Sequence, residues 1–453
     1  IAYDYDKKYL LNLNFRRDGL SALASGNKWG NFGGASVGWN ISEEDFYKNS
    51  SIKEVLNAFK VRASYGIVGN SELNDYASLS QYTAGTYAGV PTLNFSQSGN
   101  SNLKWETSKK FDFGVNLALF NNRITIEADY YKNNINDLIL NAPQALSQGI
   151  PNNSIAANVG SLYNKGFELT VNANIIDDND FQWNASLNLS TIKNKVTSLG
   201  GYGDIYPTAL STFGIQNITR EGYSVGSIFA VPTTGVNPEN GNRVYVNANN
   251  EEVQYNALTK AFTYLNGTAA PAIDNYRDGR IQGPSLPTYY GGLNNNLSYR
   301  NFDLTIGLTF SGGNKLYNGT RSTLSDQRFF NNGTFIKDRW TTPGQVTDVP
   351  KLVYGDSFSG GFSSSNSAYV EDGSYLKLKN IILSYRIPVK NELINKYISS
   401  AKVYAQGSNL LTWTKYRGSD PEISINGNSI NSGKDQNVPA NSSVFTLGLN
   451  VGF

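Results

Sequence analysis

The sequence contains no cysteine, no histidine and no methionine, and each absence removes a class of chemistry. Without His and Cys there is no Ser-His-Asp or Cys-His nucleophile, no thiolate, and none of the usual zinc or haem ligands. Without Cys there is also no disulfide framework, so the redox compartment is not legible from cysteine usage. Catalysis could rest only on carboxylates, Lys, Tyr or Ser-Lys pairs. The adjacent carboxylates Glu43-Glu44 and Glu251-Glu252 point in different directions and so do not make a glycosidase pair by spacing. The expectation is a protein that is not an enzyme and has no cofactor and no metal.

An excess of one charge is lacking as well. Lys and Arg number 38 against 36 Asp and Glu, a net charge of +2, and no basic block could neutralise a run of phosphates, which argues against nucleic acid as a partner. No stretch approaches the roughly 18 apolar residues of a transmembrane helix. That excludes a helical membrane protein but not a barrel, because each strand of a barrel pairs a lipid-facing residue with a lumen-facing one and the two cancel in any average. Gly30-Asn-Phe-Gly-Gly34 is not a phosphate loop, since no strand leads from it into a helix with the needed Lys. The chain opens at Ile1-Ala-Tyr-Asp-Tyr-Asp6 without an initiating Met or a signal pattern, and reads as a piece of something longer.

What the 453 residues do have is 29 Tyr, 22 Phe, 44 Gly and a sustained period of two. Phe302, Leu304, Ile306, Leu308 and Phe310 alternate with Asp303, Thr305, Gly307, Thr309 and Ser311. The same design recurs at 111–119 and at 181–190. Soluble sandwiches also alternate, but these runs exceed the usual five or six residues and carry aromatics at the ends of the apolar face, where a membrane barrel places its girdles.

Connections alternate between short and long. Tight polar turns are read at 120–123, 176–180 and 300–301, and long Gly/Ser/Asn/Tyr-rich stretches near 69–106, 135–157, 195–285, 314–368 and 415–442. Short periplasmic turns with long extracellular loops are the outer-membrane barrel arrangement. The pattern predicts about twelve strands, near 3–17, 29–41, 57–68, 107–120, 123–134, 159–175, 181–194, 286–299, 302–313, 370–386, 400–413 and 443–453. A capped helical turn is read at Ser42-Glu43-Glu44-Asp45-Phe46, within a longer connection on the short-turn side. The fold class is therefore all-β: a transmembrane, antiparallel, up-and-down β-barrel. The last strand places Phe445, Leu447, Leu449, Val451 and Phe453 on one face, and a terminal Phe closing such a strand resembles the signal read by bacterial barrel-assembly machinery.

Landmarks along nearly the whole chain then match a family pattern. Tyr9-Leu-Leu-Asn-Leu-Asn-Phe-Arg-Arg-Asp-Gly19, Trp29-Gly-Asn-Phe-Gly-Gly-Ala-Ser-Val-Gly-Trp39 and Val61-Arg-Ala-Ser-Tyr-Gly-Ile-Val-Gly-Asn70 resemble the mid-barrel region of SusC/RagA-like TonB-dependent transporters. Asn102-Leu-Lys-Trp-Glu-Thr107, Asn164-Lys-Gly-Phe-Glu168, Tyr369-Val-Glu-Asp-Gly-Ser-Tyr-Leu-Lys-Leu-Lys-Asn380, Asn409-Leu-Leu-Thr-Trp-Thr-Lys-Tyr416 and Asp420-Pro-Glu422 resemble its later landmarks in the same order. Where many members carry an acidic Asp-Asn-Gly-Asp-Gly loop, this chain has Asp274-Asn-Tyr-Arg-Asp-Gly-Arg-Ile281, which puts any calcium or acidic-ligand role of that loop in doubt.

The resemblance implies that residues 1–453 are the C-terminal part of a 22-stranded barrel whose plug and N-terminal strands are not in this sequence; a complete twelve-stranded channel is the competing reading. It implies TonB-energised import of a large nutrient, oligosaccharide or peptide, across the outer membrane, with a SusD-like surface lipoprotein as lid. TonB would engage through the absent N-terminal region, and outer-membrane lipid and the barrel-assembly machinery are the other partners. The alternative is a structural or surface-binding barrel subunit of a larger assembly without transport. For such an importer the loop aromatics Tyr82, Tyr87, Tyr202, Tyr206, Tyr264 and Tyr276, with Asp204 and Asp278, are candidates to meet a ligand or partner. Packing of Tyr-rich loops on one another competes with that role. Arg16, Arg17, Arg62, Lys377, Lys379 and Arg386 recur near strand faces, where ion pairing inside the barrel is the expected state.

Overall fold

A computed structural model describes residues 1–71, 73–207, 216–328, 331–388, 397–422, 424 and 427–453. It divides into two units, Ile1–Asp204 with Gly291–Thr305 and Ile205–Tyr290 with Ile306–Phe453. Among the described residues no helix is long and apolar enough to cross a membrane.

The first unit is a meander of antiparallel strands: β1 (Ala2–Tyr5), β2 (Tyr9–Gly19), β3 (Trp29–Asn40), β4 (Leu56–Asn70), β5 (Glu106–Leu119), β6 (Ile124–Pro143), β7 (Ser154–Asp177) and β8 (Phe181–Thr191). They pair in chain order, and β9 (Tyr289–Tyr299) lies beside β8. Most exceed the 9–11 residues, roughly, that a tilted strand needs to cross a bilayer, β7 reaching 24 residues.

Register keeps the two faces separate. Across β2, β3, β4 and β5 the column Leu11, Val37, Ala63 and Phe113 is apolar, while the neighbouring column Asn12, Ser36, Ser64 and Asp112 is polar. The apolar side chains are exposed, Phe15 to 75%, Val37 to 54% and Phe113 to 44%. A strand face that is apolar, exposed and continuous over this many strands is stable against hydrocarbon and not against water. A polar side chain within the apolar face is answered: Asn295 of β9 accepts the indole N–H of Trp183 at 3.2 Å, as a polar group facing lipid requires.

β10 (Phe302–Gly312), whose residues from Ile306 on belong to the second unit, is followed there by β11 (Tyr375–Ile387), β12 (Ser400–Thr414) and β13 (Val444–Gly452), with β12 pairing antiparallel to both β11 and β13. Here most of the buried apolar side chains lie in the long connections. Val231, Tyr245, Val253, Tyr255, Ala257 and Ile273 form one core with Phe262 and Phe358 packed on it, and Ile218 and Phe229 form another.

Several expectations need correction. The run 3–17 is two strands: Asp6 and Lys7 both take φ of 55° and turn β1 back onto β2, and with the short strand Lys193–Ser198, which pairs with β7, the main sheet has fourteen strands among the described residues rather than about twelve. The stretch 135–157 is mostly strand, leaving only 144–153 between β6 and β7. The other long connections are not plain loops. Gln81–Tyr87 pairs with Val90–Gln97, and Thr233–Val236, Arg243–Val246, Glu252–Asn256 and Ala261–Tyr264 make a four-stranded meander. Smaller three-stranded sheets join Asn217–Ile218 to Ser227–Ala230 and Arg280–Gly283, and Lys315–Asn318 to Val370–Asp372 and Lys434–Asp435. The short helix after β3 is present at Asp45–Lys48, but no side chain caps it. Glu44, standing at the cap position, instead accepts from Tyr9 Oη at 2.6 Å and Trp39 Nε1 at 2.9 Å. Those two bonds, with Lys8 Nζ at 3.5 Å, hold its carboxyl below the usual carboxylate range.

Candidate functional site

The polar face of the first unit carries a concentrated charge network. Arg62 on β4 donates from Nη1 to Asp112 at 3.1 Å, from Nη2 to Glu127 at 2.5 Å and Asp129 at 2.8 Å, and from Nε to Asn116 at 3.1 Å. Three carboxylates on β5 and β6 thus converge on one guanidinium. The reach across β5 depends on Gly114, which lies opposite Arg62 on one side and Asp129 on the other. Asn12, Asn14, Ser36, Ser64, Asn172 and Asn174 continue the same face with hydrogen-bonding groups of little net charge.

In the second unit Lys377 of β11 is 3% exposed and bonds Asp420 at 2.7 Å and Glu422 at 2.5 Å. Tyr375 Oη donates to Glu422 at 3.0 Å, and Asn441 Nδ2 to Asp420 at 3.1 Å. Burial pushes both carboxyls up, but the hydrogen bond from Lys377 and its charge outweigh that and hold both below the usual range. The clasp fastens the segment after β12 to β11. Lys379 approaches Glu422 at 3.6 Å, and Arg16 pairs with Asp18 at 3.0 Å. Arg17 stands over the Trp29 ring, 5.2 Å from its centroid.

The candidate ligand residues scatter. Tyr82 and Tyr87 sit on the hairpin of the first unit, Tyr82 against Phe95 at 5.4 Å and Tyr87 80% exposed. Tyr202 is exposed in the turn that follows the strand Lys193–Ser198, and Asp204 ends the first of the two stretches that make up the first unit. In the second unit Tyr206 and Tyr276 meet edge to face at 5.1 Å, with Tyr206 also against Phe229. Tyr264 donates to Glu251 at 3.3 Å. Asp278 is fully enclosed, accepting from the backbone of Ala248 and Asp274 and from the side chain of Arg277. Burial raises its carboxyl, yet the Arg277 bond and the two backbone N–H groups prevail and hold it below the usual range. That carboxylate braces its own loop through Arg277, while Arg280 of the same loop donates to the backbone oxygen of Asn247 at 2.8 Å. Among the described residues no group of three His, Cys, Asp or Glu could hold a metal.

Sequence reasoning missed the partners of Arg62, because Asp112, Glu127 and Asp129 lie 50 to 67 residues away and converge only once register is fixed. It named Lys377 and Asp420-Pro-Glu422 separately without joining them.

A strand wall with one exposed apolar face and one charged, hydrogen-bonding face is the geometry of a membrane barrel, and comparison with known proteins agrees. Residues 2–277 match the family model described as TonB dependent receptor-like, beta-barrel. The chain belongs to that family. It is a family of receptors rather than enzymes, and its barrels lie in the outer membrane. All of the chain aligns with TonB-dependent receptor P3 of Formosa agariphila at 32% identity and with TonB-dependent receptor SusC of Bacteroides thetaiotaomicron at 28%, covering 45% and 43% of those proteins. The solved RagAB peptide transporter superposes over the whole chain with a TM-score of 0.82 at 25% identity, covering 47% of that chain. This SusC/RagA-like barrel segment therefore spans about half the length of the curated relatives it matches.

Proposed function

We propose that this SusC/RagA-like chain is the lumen-wall portion of a TonB-energised importer that brings a large nutrient, oligosaccharide or peptide, across the outer membrane beneath a SusD-like lipoprotein lid. The observation that carries the reading is the two-faced wall: apolar side chains outside, and on the other face amides, hydroxyls and the Arg62 network, which offer hydrogen bonds without selecting strongly by charge. The long connections, folded into small sheets rich in Tyr, supply the surface on which a ligand and a lid would sit. They face outward, and the short turns face the periplasm. SusC and the RagAB peptide transporter as neighbours favour this class of cargo, and a peptide is as compatible with the wall as a glycan. TonB engages through a segment outside this sequence, and the apolar residues Phe445, Leu447, Leu449, Val451 and Phe453 of β13 serve assembly into the membrane.

The reading is tested by deleting the gene in its native host and measuring uptake of defined oligosaccharides and peptides, alongside affinity capture of the full-length protein from outer-membrane extracts. Import predicts loss of uptake for one cargo class and a stoichiometric lipoprotein in the capture. Unchanged uptake of both classes with a weakened outer membrane would instead establish a structural subunit.

A further inference from the structure

The apolar face of the first unit ends on rows of lysine. Phe113, Tyr130 and Phe167 stand in register on β5, β6 and β7, 44%, 41% and 41% exposed, as the aromatic rim of a membrane-facing band does. Two residues further from the tight turns, Phe111, Lys132, Lys165 and Lys193 are in register across β5, β6, β7 and the strand Lys193–Ser198, and two further still come Lys109, Asn134, Tyr163 and Lys195. Every second side chain of a strand shares a face, so all five lysines stand on the face of the aromatic rim. Lys109, Lys132 and Lys193 are exposed, and Lys165 and Lys195 are half-buried.

Their height matches a membrane surface. From Ile175 to Lys165 and from Leu119 to Lys109 the strand advances ten residues, about 33 Å, which at the tilt of a barrel strand is a rise of about 25 Å, the height of the apolar band. The ammonium groups therefore stand at head-group level, at the end of the wall away from the tight turns.

Their charge is not answered within the chain. Lys165 faces Lys132 on one side and Lys193 on the other, and like charges directly opposite one another destabilise a sheet. Among the described residues no carboxylate pairs with any of the five. Asp137 is taken by Lys104 at 3.0 Å, while Asp129 and Glu168 stand on the other face, in register with Gly114 and Arg62. The ring of Tyr163 lies 5.9 Å from Lys132 Nζ and 5.7 Å from Lys165 Nζ, which gathers two ammonium groups without neutralising either. Lysine stems snorkel to water at any membrane surface, but snorkelling does not call for three in one row beside a shared ring.

We propose that these lysines bind the phosphates of a phosphorylated glycolipid in the outer leaflet of the outer membrane. Neighbouring strands are about 4.8 Å apart, so the five ammonium groups lie within about 15 Å of one another and reach both phosphates of one head group, while its acyl chains lie along the apolar side chains below. The choice of leaflet rests on the reading that the long connections face outward; phosphate binding at the lysines does not.

The test is native mass spectrometry of the delipidated full-length protein in neutral detergent, titrated with bisphosphorylated lipid A, with dephosphorylated lipid A and with phosphatidylglycerol. Bisphosphorylated lipid A is expected to bind tightest. Lys165→Gln is expected to weaken it about fivefold, and Lys132→Gln with Lys165→Gln and Lys193→Gln roughly a hundredfold. Lys110→Gln, on the opposite face of β5 between Gly66 and Asn133, should leave it unchanged. Relief of the like-charge row should keep the melting temperature of the triple variant in lipid-free detergent at or above that of the parent, which separates lost binding from lost fold. Equal binding of the dephosphorylated lipid, an affinity unchanged in Lys165→Gln and the triple variant, or an equal loss in Lys110→Gln would overturn the proposal, and phosphatidylglycerol binding as tightly as lipid A would overturn the outer-leaflet source. Because binding in detergent needs neither orientation nor transport, a protein that binds lipid A and imports nothing would count against import alone.

Discussion

Arg62 reaches Asp129 at 2.8 Å across an intervening strand because Gly114 leaves the space between them open. A Cβ at position 114 would lie 2.1 Å from Asp129 Oδ1 and 2.7 Å from Arg62 Cζ. The bridge and the glycine are one device, so breaking either should have one effect. Gly114→Ala and Arg62→Ala are each expected to destabilise the wall by about 2 kcal/mol, the scale of leaving a partly buried charged group unpaired. The double variant should cost no more than the larger single one. Thermal melts of the full-length protein in detergent check this, and additive losses would show that Gly114 acts elsewhere.

The Lys377 clasp sets an acid limit. Removing Lys377 leaves the buried Asp420 without a counter-charge and Glu422 with only the more distant Lys379, and Lys377→Ala is expected to cost about 3 kcal/mol at neutral pH. Both carboxyls titrate below their ordinary value near 4, roughly, in the folded chain. Their contribution is therefore complete above the unfolded pKa and disappears as pH falls through the depressed folded values. The gap in melting temperature between the parent and Lys377→Ala should be widest near pH 7 and narrow below about pH 4. A gap independent of pH would mean that the lysine contributes packing rather than charge.

Lys434 gives the opposite case. Burial alone lowers its pKa to about 8, and its ammonium donates to Asn431. Below about pH 8 both folded and unfolded chains hold the proton and the burial penalty is full; between there and about 10.4 only the unfolded chain holds it, so stability rises with pH. Lys434→Met is expected to stabilise by roughly 2 kcal/mol at pH 7, allowing for screening of the exposed part of the side chain. The gain should vanish above about pH 10.5. Melting curves of both proteins from pH 7 to 11 decide it.

The wall was legible in the sequence because lipid and lumen impose a period of two on every strand, and Phe302 to Ser311 shows that period without any neighbour. Turns such as Arg300-Asn301 were legible from polarity. The turn at Asp6-Lys7 was not, because it takes positive φ at residue types that do not announce it. The loop sheets of the second unit escaped because strands of two to five residues are too short to leave a period, and their Tyr content reads equally as core or as ligand surface. Tyr245, buried at the centre of one such core, and Tyr87, 80% exposed, both stand in short stretches of small and polar residues with a Val and a Gly nearby. The charged sites were legible only by half. Arg62 and Lys377 are visible along their strands, whereas their partners depend on register or on a return from a distant segment.

The central claim is that one face of this wall meets lipid and the other an aqueous lumen. Single cysteines are placed along β5 at 111, 113, 115 and 117 and at 112, 116 and 118, in a background from which any cysteine outside these 453 residues has been removed; these residues contain none. Each is spin-labelled in the full-length protein reconstituted in lipid, and its collision rates with oxygen and with a water-soluble nickel chelate are measured. The account predicts a period of two, oxygen dominating at the odd positions and nickel at the even ones. Equal ratios at neighbouring positions, or nickel dominating on both faces, would contradict it.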